Sequence, residues 1–231
     1  MAKRRKSSSL AEARTRMYRD LIFTTAERAF AEHGFEGTTM QDVAAAAGIS
    51  LKTLYATYRG KEEVYREIAK QRSREFLAHT LKPLQEGGSL MERFARGVRA
   101  YVEFLLTHRD YFRIQLREGR GWGLDPENET RGEWRSGLQE QAALIREGIA
   151  AGLFYDGDPE LMSASAIAIM QVQLAGLVER SPEPGVTEIS NEIAVQLARY
   201  LCKPECHGSE AGGNERDDST EQVPPTRLPA V

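Results

Sequence analysis

The chain is poor in the residues that most enzyme chemistry requires. Its 231 residues include only four histidines, widely scattered, and two cysteines. A glycine-rich phosphate loop, a His-Glu-His metal spacing and a serine or cysteine set in a nucleophile turn are all missing. Turnover is therefore not expected, and no cofactor is implied. Cys202 and Cys206 stand near the end of the last expected helix, with His207 just behind. That trio falls short of the four ligands zinc normally takes, Pro204 interrupts it and nothing nearby completes it. The thiols are read as free, the usual state in a reducing compartment. Alternating apolar runs joined by hairpin dipeptides are missing too, which speaks against a sheet. No stretch approaches the ~18 apolar residues that span a bilayer. The opening MAKRRKSSSLAEARTR is basic and polar without an apolar centre, so it reads as neither signal peptide nor anchor. The expectation is a soluble, cytoplasmic, all-α chain with no membrane contact.

Net charge is also low, at −3, and by itself says nothing of a nucleic-acid partner. Its distribution does. Residues 1–80 hold 15 Lys and Arg against 10 Asp and Glu, whereas the rest hold 16 against 24. A basic end on an acidic body suits a protein that meets phosphate at one end only. Residues 1–13 are expected to form a flexible basic arm. Its Lys3, Arg4, Arg5 and Lys6 either reach phosphate or the minor groove, or stay solvated. A chain of this length has room for a small domain and a larger one.

What the chain does have is concentrated between Thr38 and Lys61, in TTMQDVAAAAGISLKTLYATYRGK. Two short helices joined by a tight turn fit this stretch, and such a unit serves to lay its second helix in a DNA major groove. Thr38 or Thr39 caps the first helix, answered by Gln41 or Asp42. The run Ala44, Ala45, Ala46 and Ala47 combines helix propensity with little girth, which lets another helix cross close by. Gly48 ends that helix in the left-handed region, Ile49 fills the angle and Ser50 caps the next one. In the second helix Leu54 and Tyr58, four apart, form the buried side. Lys52, Thr53 and Ala56 point away, Tyr55 and Thr57 lie on the flanks, and Leu51 sits in the first turn. Such a face suits phosphate oxygens, base edges and thymine methyls.

From about Asp20 to Tyr65 the chain resembles the DNA-binding domain of the tetracycline-repressor (TetR) family of one-component transcriptional regulators. The resemblance rests on Ile22, Ala26 and Phe30, Gly34-Phe35, Thr38-Thr39, Ala47-Gly48-Ile49-Ser50, Thr53-Leu54-Tyr55 and Lys61-Glu62, all in the family's order and spacing. It implies that Thr39, Thr53, Tyr55 and Lys61 touch DNA. With the outward face added, the candidate contacts are Thr38, Thr39, Ser50, Leu51, Lys52, Thr53, Tyr55, Ala56, Thr57 and Lys61. Each of the implied contacts also has an ordinary use, Thr39 as a cap, Tyr55 as a half-buried support and Lys61 as a solvated lysine. Lys52 stands where a glycine or other small residue is common in the family, and Thr57 where histidine is frequent. No relative's operator is therefore carried over.

Residues 14–60 are read as a three-helix helix-turn-helix domain whose first helix runs from about Arg14 to His33 and stops at Gly34. Residues 61–203 are read as a larger helical ligand-binding and dimerisation domain, and 204–231 as a disordered tail rich in Glu, Gly, Ser and Pro. The larger domain opens with a long helix from Lys61 to Pro83, with Val64, Ile68 and Leu77 on its apolar side, a lever leading away from the DNA end. Helices follow after Gly87-Gly88, from Asp110 to Glu118 and from Trp134 to Ala151, the last two separated by a Gly-rich, acidic loop. Beyond a cap at Asp158 come helices at about Pro159 to Arg180 and Val186 to Leu201.

The helix ELMSASAIAIMQVQLAGLVER has few charges and many small side chains. The resemblance implies that it and the last helix meet their copies in a homodimer as a four-helix bundle. It further implies a repressor of a palindromic DNA operator, released by a small-molecule effector. Candidate pocket residues are Phe94, Tyr101, Phe104, Phe112, Trp122, Trp134 and Met170, of a kind that also builds ordinary cores. The other reading is a DNA-binding regulator that answers to a partner protein or to no ligand. An accessible cavity above ~300 Å³ favours the first reading and a collapsed core the second.

Overall fold

Helices account for all regular structure in the computed structural model, which describes residues 2–117, 131–178 and 185–204, with side chains over 12–117, 137–177 and 185–204. They are α1 (Ala2–Gly37), α2 (Met40–Ala46), α3 (Leu51–Thr57), α4 (Lys61–Gln85), α5 (Leu90–Thr107), α6 (Arg109–Arg117), α7 (Arg131–Ala150), α8 (Pro159–Val178) and α9 (Val186–Leu201). Among the described residues the one pairing of extended backbone is an isolated bridge between Phe154 and Cys202. The all-α expectation holds, with a small domain at α1–α3 and a larger one beyond.

The small domain closes around Ile22, Ala26 and Phe30 from α1, Val43 and Ala44 from α2, and Leu54 and Tyr58 from the end of α3. Val64 and Ile68 of α4 complete the same core. Full burial of one such leucine stabilises by roughly 1.5–3 kcal/mol relative to leaving it exposed, a large contribution to a helix of two turns. Phe30, Phe35 and Tyr65 add three ring contacts with centroids 5.2–5.7 Å apart. In the larger domain α5 is the hub, packed on α4, α6, α7, α8 and α9, while α6 turns back onto α1. Ser89 caps α5, and Asp158 caps α8 by accepting from the amides of Glu160 and Leu161.

Three differences from the sequence expectation have local causes. Helix α1 runs back to Ala2 through the stretch expected as a flexible arm, since 2–33 contains no proline or glycine to stop it. It breaks, as expected, at Gly34, whose φ of 77° leaves the helical region. Pro83 does not end α4, because the Glu86 amide still reaches Lys82 O and the lost proline donor falls in the last turn. Finally, Pro159–Leu177 is long and apolar enough to cross a membrane, with a hydropathy of 1.3, contrary to the expectation that no stretch is. After Glu160 its polar residues are serines and glutamines rather than charges, so a search for unbroken apolar runs passes over it. Ser163 and Gln171 of that helix are buried inside the protein.

The end of α7 shows a close approach that only glycine allows. A Cβ on Gly148 would lie 2.3 Å from Cδ2 of Phe154. The amides of Leu153 and Phe154 both donate to Gly148 O, at 2.9 and 3.1 Å, folding the chain back over the helix end. Two more bonds, Tyr155 N to Leu201 O and Lys203 N to Leu153 O, each 2.9 Å, tie this turn to the end of α9. Cys202 is buried there, while Cys206, His207 and the rest of the expected tail from 205 on lie outside the described residues.

Candidate nucleic-acid interface

Capping chemistry sets the two helices of the interface. Thr39 caps α2 in a reciprocal box: its hydroxyl donates to Asp42 Oδ2 at 2.6 Å and accepts from the Asp42 amide at 3.2 Å, while its own amide donates to the same carboxylate at 2.9 Å. The Thr39 hydroxyl, and then its amide, hold the Asp42 carboxyl below the usual range. Gly48, with φ of 65°, turns the chain, and the Ile49 amide donates back to Ala44 O at 3.0 Å. Ser50 then caps α3, accepting from the Thr53 amide at 3.1 Å and sharing a 2.8 Å bond with the Thr53 hydroxyl. Leu54 and Tyr58 anchor α3 from its buried side, as their spacing predicts.

The ten candidate contacts separate into distinct groups. Lys52, Tyr55 and Ala56 are exposed on the outer face of α3, Tyr55 at 49%. Leu51, Thr53 and Thr57 are half-buried on its flanks, and Ser50 and Thr39 stand exposed at the helix starts. Thr57 donates to Thr53 O at 3.0 Å. Thr38 turns inward, which corrects its place among the contacts: its side chain is buried and its hydroxyl bonds to Gly34 O at 2.8 Å and Ala29 O at 3.2 Å. A threonine just after a helix break serves there to satisfy the carbonyls the break leaves open. Lys61 is held rather than solvated. Its ammonium donates to Phe35 O at 3.0 Å, pairs with Glu36 at 3.4 Å and lies 4.4 Å from the centre of the Phe35 ring.

A capped helix pair with an outward basic and aromatic face, joined to a larger helical body, is the arrangement that the comparisons identify. Residues 22–68 match the family model described as bacterial regulatory proteins, tetR family, and residues 87–173 match that of the tetracyclin repressor-like C-terminal domain. The chain belongs to the TetR family. It is a DNA-binding transcriptional regulator of that family, and the family's members are not enzymes. It is 26% identical to the uncharacterized HTH-type transcriptional regulator YhgD of Bacillus subtilis (strain 168), over 67% of this chain and 80% of that one. Its fold is like that of the ketosteroid transcriptional regulator KstR2 of Mycobacterium tuberculosis, with a TM-score of 0.70 and 21% identity over 80% of this chain and 95% of that chain. It is also like AibR in complex with isovaleryl coenzyme A and operator DNA, with a TM-score of 0.65 and 21% identity over 77% and 96% of the two chains.

Two further features belong to this TetR-family chain's own residues. The first is a joint between the domains that sequence reading missed. Arg72 of α4 grips Glu27 of α1 through two parallel bonds of 2.7 Å, and a third bond of 2.6 Å reaches Glu75. The Glu27 and Arg72 side chains are only 8% and 15% exposed. The partners raise the Arg72 pKa well above its usual value against the opposing effect of burial. Burial, followed by the Arg72 charge, lowers the pKa of nearby His108. The pair is 45 residues apart, and no local pattern announces it.

The second is an apolar cavity between α4, α5, α7, α8 and α9, of about 50 Å³. Phe94 and Met170, both expected at a pocket, line it together with Thr80, Leu84, Ile145 and Leu197, and the Ser163 hydroxyl donates to Gln141 Oε1 at its edge. Tyr101, Phe104 and Phe112 do not line it. They are buried core, with Tyr101 and Phe104 set edge-on to Phe76 at 5.4 and 5.2 Å. Trp122 and the side chain of Trp134 lie outside the described residues. At about 50 Å³ the cavity is far below the ~300 Å³ at which small-molecule sites begin.

Proposed function

We propose that the chain acts as a homodimeric repressor that lays each α3 in a major groove of a palindromic operator, and that a small molecule entering the cavity weakens that grip. The observation that carries the DNA half of this reading is the exposed Lys52, Tyr55 and Ala56 face of α3, held outward by buried Leu54 and Tyr58. Support for the dimer comes from the outer faces of α8 and α9, where Leu161, Val172 and Val195 are 66%, 59% and 53% exposed. Apolar residues in such a row cost solubility unless a second copy covers them, and pairing α8 and α9 with their copies makes a four-helix bundle.

Support for effector control comes from the position of the cavity. Thr80 and Leu84 in its wall belong to α4, whose other end begins beside the reading helix. An effector acts there only by binding one setting of α4 better than another. The solved AibR complex, which holds isovaleryl coenzyme A and operator DNA together, supports a two-site arrangement. The small size of the cavity favours the second reading, control by a partner protein or by no ligand. The deciding experiment is selection from a random double-stranded DNA pool, a salt titration on the winner, and a release assay with CoA thioesters and ketosteroids. A palindrome with steep salt dependence supports the dimeric regulator. At least a tenfold loss of operator affinity with one compound supports the effector, and a tightly bound compound that leaves DNA affinity unchanged sinks it.

A further inference from the structure

The outward face of α3 is not uniform. At about 100° per residue, Tyr55 stands about 60° to one side of Lys52 and Ala56 about 40° to the other, so Lys52 occupies the middle of the face, opposite Leu54. Leu51, Thr53 and Thr57 fall toward the flanks and are half-buried. When such a helix lies in a groove, the middle of its face meets base edges and its flanks meet the phosphate walls. The neighbouring polar groups are already engaged. The Thr53 hydroxyl is shared with Ser50, that of Thr57 bonds to backbone, that of Thr39 closes its capping box, and the Lys61 ammonium holds Phe35 O. Among the described residues no such partner engages the Lys52 ammonium. Lys52 also breaks a local rule. It is the second residue of α3, where the helix dipole disfavours a cation, and the first turn contains no acidic residue to answer it. Rules of this kind are broken mostly at functional positions.

We propose that Lys52 is the specificity-determining residue of this interface and reads a guanine in each operator half-site. The proposal rests on the DNA-regulator reading above. An ammonium has donors only. In the major groove guanine offers two neighbouring acceptors, O6 and N7, whereas adenine sets a donor beside N7, cytosine presents a donor and thymine places a methyl beside O4. Ala56, on the same face, suits the methyl of an adjacent thymine.

The test starts from the sequence selected by the wild-type protein. Each guanine of a half-site is replaced in turn by 7-deazaguanine, which lacks N7, and by the other bases, and binding is measured for wild type, Lys52→Ala and Lys52→Arg. Wild type is expected to lose about tenfold in affinity at one guanine per half-site. Lys52→Ala is expected to lose the preference at that position alone, with helix content unchanged, and Lys52→Arg to keep it, because a guanidinium spans the same two acceptors. A uniform loss over all sequences, with a salt slope lower by about one contact, places Lys52 on phosphate and overturns the proposal. An unchanged base preference in Lys52→Ala overturns it as well. If wild type enriches no sequence at all, the DNA-regulator reading itself fails and this proposal falls with it.

Discussion

The two ends of α4 are held by different kinds of force. Toward its start Lys61 is clipped to a backbone carbonyl and Arg72 grips Glu27 with two short parallel bonds. Toward its end Thr80 and Leu84 face an apolar cavity. A bidentate charged pair has one good geometry and loses it with small displacements. Apolar packing tolerates several arrangements of similar buried area, at modest cost. The contrast predicts where this chain yields: α1 and the first half of α4 are expected to move as one piece, with adjustment collecting at the cavity end.

The largest test of that contrast is Arg72→Met, which leaves Glu27 buried without its partner. Chemical denaturation is expected to show a loss of about 3–5 kcal/mol, toward the lower figure because Arg72 keeps some access to water. Adding Glu27→Leu should recover most of it. A loss below about 1 kcal/mol for Arg72→Met alone means that the joint is held by something else. Next is Met170→Ala, expected to cost about 2–3 kcal/mol by enlarging the cavity. If the two ends are mechanically separate, this loss adds to that of Arg72→Met within about 0.5 kcal/mol, and a larger interaction energy merges them into one unit. Ser50→Ala, which removes the cap of α3, is expected to cost about 1 kcal/mol and leave the larger domain's thermal behaviour unchanged. The smallest effect is in acid. The Asp42 carboxyl is depressed in the folded state, so its contribution is complete above the ordinary value of 3.8 and is lost as pH falls from there through the lowered value. Hydrogen exchange in α2 should rise over that window before it rises in α5.

Much of the DNA-facing half was legible because its determinants are local. Ser50 and Thr39 cap, Gly34 and Gly48 break, and Leu54 and Tyr58 share a face, each for reasons contained within a few residues of chain. Thr38 was misplaced because one of its hydroxyl partners, Ala29 O, lies nine residues back and is reached only when the chain turns after the break at Gly34. Glu27 and Arg72 look in sequence like members of two solvated faces, and only the packing of α1 on α4 brings them together. The cavity was half legible. Phe94 and Met170 reach it while Tyr101, Phe104 and Phe112 fill core, because spacing along a helix tells which side is covered and not whether the covering is complete. Helix α8 kept its membrane-like composition hidden behind serines and glutamines.

The notch at Gly148 acts as a datum for the two helices that follow it. A side chain there would displace Phe154, and with it the backbone at 153–155 that is bonded to Leu201 and Lys203. The launch point of α8 and the tether of α9 would then shift together. The mutual alignment of those two outer faces is thus gauged by a residue of α7 that lies on neither helix. In the proposed homodimer, a small error at that spot, carried along two helices, would reappear enlarged in the separation of the two copies of α3.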